Sequence, residues 1–197
     1  LTILNLKMQG AKIDVWGVGT KLITAYDQPA LGAVYKLVSI ADENGQMVDT
    51  MKISSNAEKV STPGKKQVWR ITRKRDGKSE GDYKALWEEQ PDQESELYMF
   101  HPVFTYINKT ITDFEARPIL QDIIVEGKLV YELPSLQEVK AFSEAQMSGL
   151  WDEYKRILNP EDYPVDLSQK TYDHKMATIK EIKKQIKEEA SLLESTK

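Results

Sequence analysis

An α/β segment followed by an α+β arrangement of hairpins and C-terminal helices is the fold class predicted by this 197-residue sequence. Three observations predict it. A helix-like run, a glycine and an alternating run open the chain. Glycine-bearing turns then separate pairs of β-branched and apolar runs. Near the end a capping box introduces apolar residues at helical spacing. The zones are residues 1–40, 41–134 and 135–197.

In the first zone Ile3 to Met8 reads as the end of a helix stopped by Gly10, because glycine accepts the left-handed conformation at little cost. Lys12-Ile13-Asp14-Val15-Trp16 alternates polar and apolar residues and predicts a short strand. The chain has no initiator methionine and opens inside an apolar run, which is read as the continuation of a longer folded protein.

The second zone predicts three hairpins. Val34 to Ile40 and Met47 to Ile53 flank Asn44-Gly45, whose two positions tolerate positive φ. Gln67 to Thr72 and Tyr83 to Trp87 flank Asp76-Gly77, and Ile119 to Val125 and Lys128 to Glu132 flank Glu126-Gly127. Gln90 to Glu96 reads as a polar loop and Thr62-Pro63-Gly64 as a turn. In the third zone Ser135-Leu136-Gln137-Glu138 has the form of a capping box. Leu136, Val139, Phe142, Leu150, Trp151, Tyr154 and Ile157 then recur at helical spacing up to Asn159-Pro160. Glu161 to Leu167 reads as a linker, and a last helix is expected from Gln169.

Composition narrows the function classes. Hydrophobic residues make up 40% of the chain, enough for a packed core, and the net charge of −4 is the wrong sign for a dedicated nucleic-acid binder. With no cysteine there are no disulfides, thiolate metal sites or thiol nucleophiles, which fits a reducing, cytoplasmic setting. No apolar run reaches the length of a membrane span, so no membrane partner is expected.

The stretch that carries chemistry is Gly17-Val18-Gly19-Thr20. Glycines let a backbone approach an anion closely, successive amides can share one concavity, and a helix starting near Thr20 adds donors. It lacks the third glycine of a dinucleotide fingerprint and the Gly-Lys-Ser/Thr of a Walker loop, and a tight turn with no ligand would look similar. Lys65, Lys66, Arg70, Arg73, Lys74, Arg75 and Lys78 form a basic run, read as the charged edge of a hairpin. Trp69, Trp87 and Trp151 fit packing. His101 and His174 are read as structural or solvated.

The flanks of the glycine turn resemble the nicotinate phosphoribosyltransferase family, most closely its longer bacterial form. The resemblance is carried by Gly17 to Leu22, Asp27-Gln28-Pro29-Ala30-Leu31-Gly32, Val34 to Val38, Lys52-Ile53-Ser54, Lys59, Thr62-Pro63-Gly64 and Glu132 to Leu136, in the family's order. It implies the last units of a type II phosphoribosyltransferase irregular α/β barrel, with Lys12 to Ala25 in one of them. A β-rich region and C-terminal helices would follow. It further implies that Gly17, Val18, Gly19 and Thr20 grip the 5-phosphate; Lys36, Lys52 and Lys59 match the family's motifs and read either as facing the active site or as ordinary strand-surface lysines. No catalytic residue and no protein-held metal is assigned. The implied reaction makes nicotinate mononucleotide from nicotinate and phosphoribosyl pyrophosphate. Magnesium would be carried by phosphoribosyl pyrophosphate, and ATP would be the co-substrate. The histidine phosphorylated during ATP coupling would lie upstream, so the chain alone is expected to be inactive without the missing N-terminal part of the same protein, and the resemblance further implies that the complete enzyme is a homodimer. Two other readings stand beside this one: a non-catalytic α+β interaction module, and a nucleic-acid module using the basic hairpin.

Overall fold

The computed structural model describes residues 1–30, 32–56 and 59–195, with side chains at all of these but 189 and 192–195. It divides into two compact units, Leu1–Tyr35 and Lys36–Lys197.

The first unit holds two short helices, α1 (Thr2–Met8) and α2 (Thr20–Ile23). Gly10 ends α1 as expected. Its φ is +82°, its N–H donates to Lys7 O, and the Ala11 N–H reaches back to Leu6 O. These two reversed bonds satisfy carbonyls that the helix leaves orphaned. The same pair closes α2, where Ala25 takes the left-handed position at φ +46°. Residues 12–16 do not form the expected strand. Alternation marks a face, but a strand exists only by pairing, and no described strand lies against this run.

The second unit begins with a hairpin, β1 (Ser39–Ala41) against β2 (Met47–Asp49). The expected turn is present with a different mechanism. Only Gly45 has positive φ, +77°, while the Asp42 carboxylate accepts the N–H groups of Asn44 and Gln46 at 2.9 and 2.8 Å. The strands are shorter than the expected 34–40 and 47–53. The Val38 carbonyl takes the Thr50 N–H and also the N–H of Gly64, so a third segment enters and ends the ladder.

The main sheet has six strands: β3 (Lys66–Arg73), β4 (Ser79–Leu86), β5 (Leu97–Phe100), β6 (Asn108–Ile111), β7 (Phe114–Pro118) and β10 (Val165–Leu167). Their order is β6-β5-β10-β4-β3-β7. The β3–β4 hairpin matches expectation, with Gly77 at φ +67°. The expected linker 161–167 does not hold: β10 runs parallel to β4 and sits mid-sheet. Pro164 is tolerated because it lies just before the strand, where its carbonyl accepts the Asp82 N–H. Edge strands β6 and β7 are joined by residues 112–113 alone, so the sheet must curl until its edges approach. One face buries Trp69, Ile71, Tyr83, Ala85, Leu97, Met99, Phe114 and Ala116 as the core.

A further hairpin pairs β8 (Ile124–Val125) with β9 (Lys128–Leu129), and Glu126 and Gly127 both take positive φ, as a two-residue primed turn requires. The Ser135 capping box opens α3 (Leu136–Gly149), as expected. That helix stops eight residues short of Ile157. Lys78 Nζ donates to Ser148 O and Leu150 O, carbonyls that continued winding would have used, and Trp151 Nε1 donates to Ser79 O, holding the chain after the helix against the β3–β4 hairpin. A 3-10 turn follows at Asp152–Lys155. The last helix, α4 (Gln169–Ser195), starts where expected. Ser168 Oγ accepts the Thr171 N–H, and Glu89 Oε1 gathers the Ser168 and Thr171 hydroxyls.

Two half-buried lysines make part of this stability depend on pH. Burial pushes Lys84 below the ordinary lysine value of 10.5, and Lys175 of α4 lowers it further; burial lowers Lys175 itself. Between the lowered value and 10.5 the unfolded chain binds more protons, so stability climbs as pH rises through that interval. Lys84→Met should be at least as stable at neutral pH and show a smaller alkaline rise. Urea denaturation at neutral and alkaline pH checks this.

Candidate functional site

The Gly17–Thr20 turn leads into α2, with Gly19 as its N-cap at φ −116°. Gly19 O accepts the N–H groups of Leu22 and Ile23, and all four turn residues are exposed. The amides of Thr20 and Lys21 lie in the first turn, where no helical carbonyl can serve them. A Cβ on Gly17 or Gly19 would meet nothing within 4 Å, and neither residue has positive φ. Within its own unit, therefore, neither strain nor crowding demands glycine at these two positions.

Lys36, Lys52 and Lys59 lie in the second unit, all exposed. Lys52 is stitched to the segment after Lys59: its N–H donates to Ser61 Oγ at 2.7 Å, and the Ser61 N–H returns to Lys52 O at 3.2 Å. Among the described residues Lys36 bonds to neither of the other two.

The Thr62-Pro63-Gly64 turn has a partner the sequence did not reveal. Lys66 Nζ donates to the carbonyls of Thr62, Pro63 and Gly64, inside a basic run that reads as surface. Burial lowers the Lys66 ammonium, while Asp49 pulls the other way. Asp49 Oδ2 lies 2.8 Å from His174 Nε2, tying β2 to α4. Gly64 sits beneath that pair at φ +82°. The only sequence signal was the Thr-Pro-Gly turn itself.

Both histidines hold structure. His101 Nδ1 accepts the N–H groups of Val103 and Phe104 at 3.1 and 2.9 Å, and His174 makes the pair just described. The basic run is largely used inside the fold. Arg70 bonds Asp82, Arg73 pairs with Asp76 and Glu80, Lys78 caps α3, and Lys65 lies 3.7 Å over the Trp87 ring. Tyr163 closes the cluster around Asp82; burial pushes its hydroxyl up to about 12. No helix of the described residues is long and apolar enough to cross a membrane.

Comparison with known proteins agrees across the chain. Residues 65–175 match the family described as the nicotinate phosphoribosyltransferase C-terminal domain. The nicotinate phosphoribosyltransferase of Bacillus subtilis is 56% identical over 188 residues, covering 95% of this chain and 38% of that protein. The mouse nicotinate phosphoribosyltransferase is 32% identical over 168 residues, covering 85% of this chain and 30% of its own length. A crystal structure of human nicotinic acid phosphoribosyltransferase superposes with a TM-score of 0.52 at 27% identity, covering 62% of this chain and 23% of that one. This chain thus spans well under half the length of these relatives.

Proposed function

The chain belongs to the nicotinate phosphoribosyltransferase family, and on that premise we propose that it is the C-terminal part of an enzyme joining nicotinate to phosphoribosyl pyrophosphate. The observation that carries this reading is 56% identity to the Bacillus subtilis enzyme over nearly the whole chain. The product would be nicotinate mononucleotide, made in the cytoplasm for NAD salvage with ATP hydrolysis coupled to it.

In such a reaction the nicotinate nitrogen bonds to ribose C1 as pyrophosphate departs. Positive charge develops on the ribose, and magnesium enters on the pyrophosphate. Catalysis is then mostly positioning and electrostatics. The Gly17–Thr20 turn would receive the 5-phosphate, far from the reacting carbon, and use that binding energy to hold C1 in place. Its exposed amides and bare glycines support this role. Residues 12–16, unpaired here, would take ladder partners from barrel strands elsewhere in the protein. Lys36, Lys52 and Lys59 would supply cationic groups toward the pyrophosphate, in a homodimer sharing its active sites.

The test is Gly19→Val in the full-length enzyme. A valine side chain blocks backbone approach to the phosphate, so the KM for phosphoribosyl pyrophosphate should rise at least about tenfold, equivalent to ~1.4 kcal/mol of binding. An unchanged KM in a normally folded variant would remove the phosphate role. The 197-residue chain assayed alone should form no nicotinate mononucleotide, and detecting the product would end the fragment reading.

A further inference from the structure

A second feature lies on the other face of the six-stranded sheet, where β3 and β7 meet the C-terminal turn of α3. A cavity of about 190 Å³ opens there, lined by Arg70, Thr72, Glu115, Arg117 and Gln146 among others. Arg70 and Arg117 are direct cross-strand partners. Like charges so placed repel, their Cβ atoms being about 5 Å apart. Asp82 neutralises one of them, binding Arg70 Nε at 2.8 Å and Nη2 at 3.2 Å. Among the described residues the Arg117 guanidinium has no ion-pair or hydrogen-bond partner. Glu115, two residues along β7, lines the same cavity without pairing to it.

The Glu115 carboxylate would oppose an anion and the Ser79 hydroxyl is shared with Tyr163, so the free donors are on Arg117, Gln146 and Thr72. The Gln146 side-chain oxygen accepts from Arg70 Nη1 at 3.1 Å, which leaves its N–H groups for another acceptor. The Thr72 hydroxyl has no partner among the described residues. The carbonyl end of α3 would ordinarily repel an anion. Here Lys78 Nζ occupies the Ser148 and Leu150 carbonyls. Charge on an edge strand guards against edge pairing wherever it stands. That role does not account for an arginine set opposite another arginine with hydrogen-bond donors gathered around it.

The geometry points to an oxyanion subsite under α3, in which Arg117, Thr72 and Gln146 bind a phosphate group. Planar guanidinium donors suit such a group. The cavity is smaller than the roughly 300–1,000 Å³ of clefts for drug-sized ligands, so it admits one phosphate, free or terminal on a larger molecule. This subsite is independent of the turn at 17–20.

Calorimetric titration of the protein with inorganic phosphate, at constant ionic strength, tests it. Saturable binding is expected, with a Kd of about 1 mM or tighter. Arg117→Gln should weaken it at least tenfold with an unchanged circular dichroism spectrum. Arg75→Gln, which removes an equal charge at the β3–β4 turn, should not change it, and every titration is run in a Gly19→Val background so that phosphate binding at the turn of residues 17–20 is removed. A parallel titration with adenosine monophosphate identifies the source: tighter binding through Arg117 indicates a nucleotide phosphate, equal or weaker binding a free one. No saturable binding of either ligand in that background, or an unchanged affinity on adding Arg117→Gln, would overturn the subsite.

Discussion

Gly81→Ala is expected to destabilise the second unit by more than about 3 kcal/mol, or to prevent its folding outright. Gly81 has φ +127°, a region that side chains rarely occupy. An added Cβ would stand 2.9 Å from Pro164 Cγ and 2.9 Å from the Pro164 carbonyl oxygen. The second contact is with backbone, which cannot swing aside. That same carbonyl accepts the Asp82 N–H at 3.0 Å and begins the parallel pairing of β4 with β10. A methyl group here therefore acts as a wedge between two central strands. The position also adjoins the irregularity where β3 passes from pairing Ile71 with Gly81 to pairing Thr72 with Ser79. Asp82, one residue on, anchors Arg70 and Tyr163, so displacement would propagate into that cluster. Urea denaturation followed by circular dichroism measures the effect. A loss below about 1 kcal/mol would mean that β10 can move away from β4 without unfolding the sheet.

The same strand pair marks where local reading of the sequence ran out. Turns were legible because their chemistry is local: Gly45, Gly77 and Gly127 all take the positive φ that their turns require. The Ser135–Glu138 capping box was legible for the same reason, since it satisfies amides three residues apart. β10 was not. It is a three-residue strand after a proline, and only its neighbours β4 and β5 make it one. The end of α3 is not legible locally because Lys78, some seventy residues earlier, occupies carbonyls at its C-terminus. Helical spacing through Ile157 describes which residues are apolar, not which carbonyls are already taken. At the candidate site the glycine turn could be found from its own residues. Lys66 could not, because an ammonium that gathers three carbonyls reads in sequence as one more basic residue in a charged run. Arg117 likewise acquires meaning only through its register opposite Arg70.

Gly64→Ala should cost about 2–3 kcal/mol, and the source of that cost can be separated experimentally. Gly64 is held at φ +82°, where alanine is strained by roughly 1 kcal/mol. The remainder comes from contact. The new Cβ would lie 2.8 Å from Asp49 Oδ2 and 3.5 Å from His174 Nε2. Asp49 is not free to rotate away, since it pairs with His174 at 2.8 Å. Either that pair opens, releasing β2 from α4, or the turn shifts and withdraws carbonyls from the half-buried Lys66 ammonium. Neighbours that share a contact are non-additive. In an Asp49→Ala background the space for the methyl already exists, so Gly64→Ala should then cost only the backbone strain of about 1 kcal/mol. Denaturation of the two single variants and the double variant closes the cycle. Equal costs in both backgrounds would show that the left-handed backbone alone requires glycine here and that the Asp49–His174 pair is indifferent to the turn. A reduced cost in the double variant would establish the turn, the hairpin and the last helix as one mechanical unit. The Lys52–Ser61 stitch hangs from the same turn, so that unit would also set where Lys52 is presented.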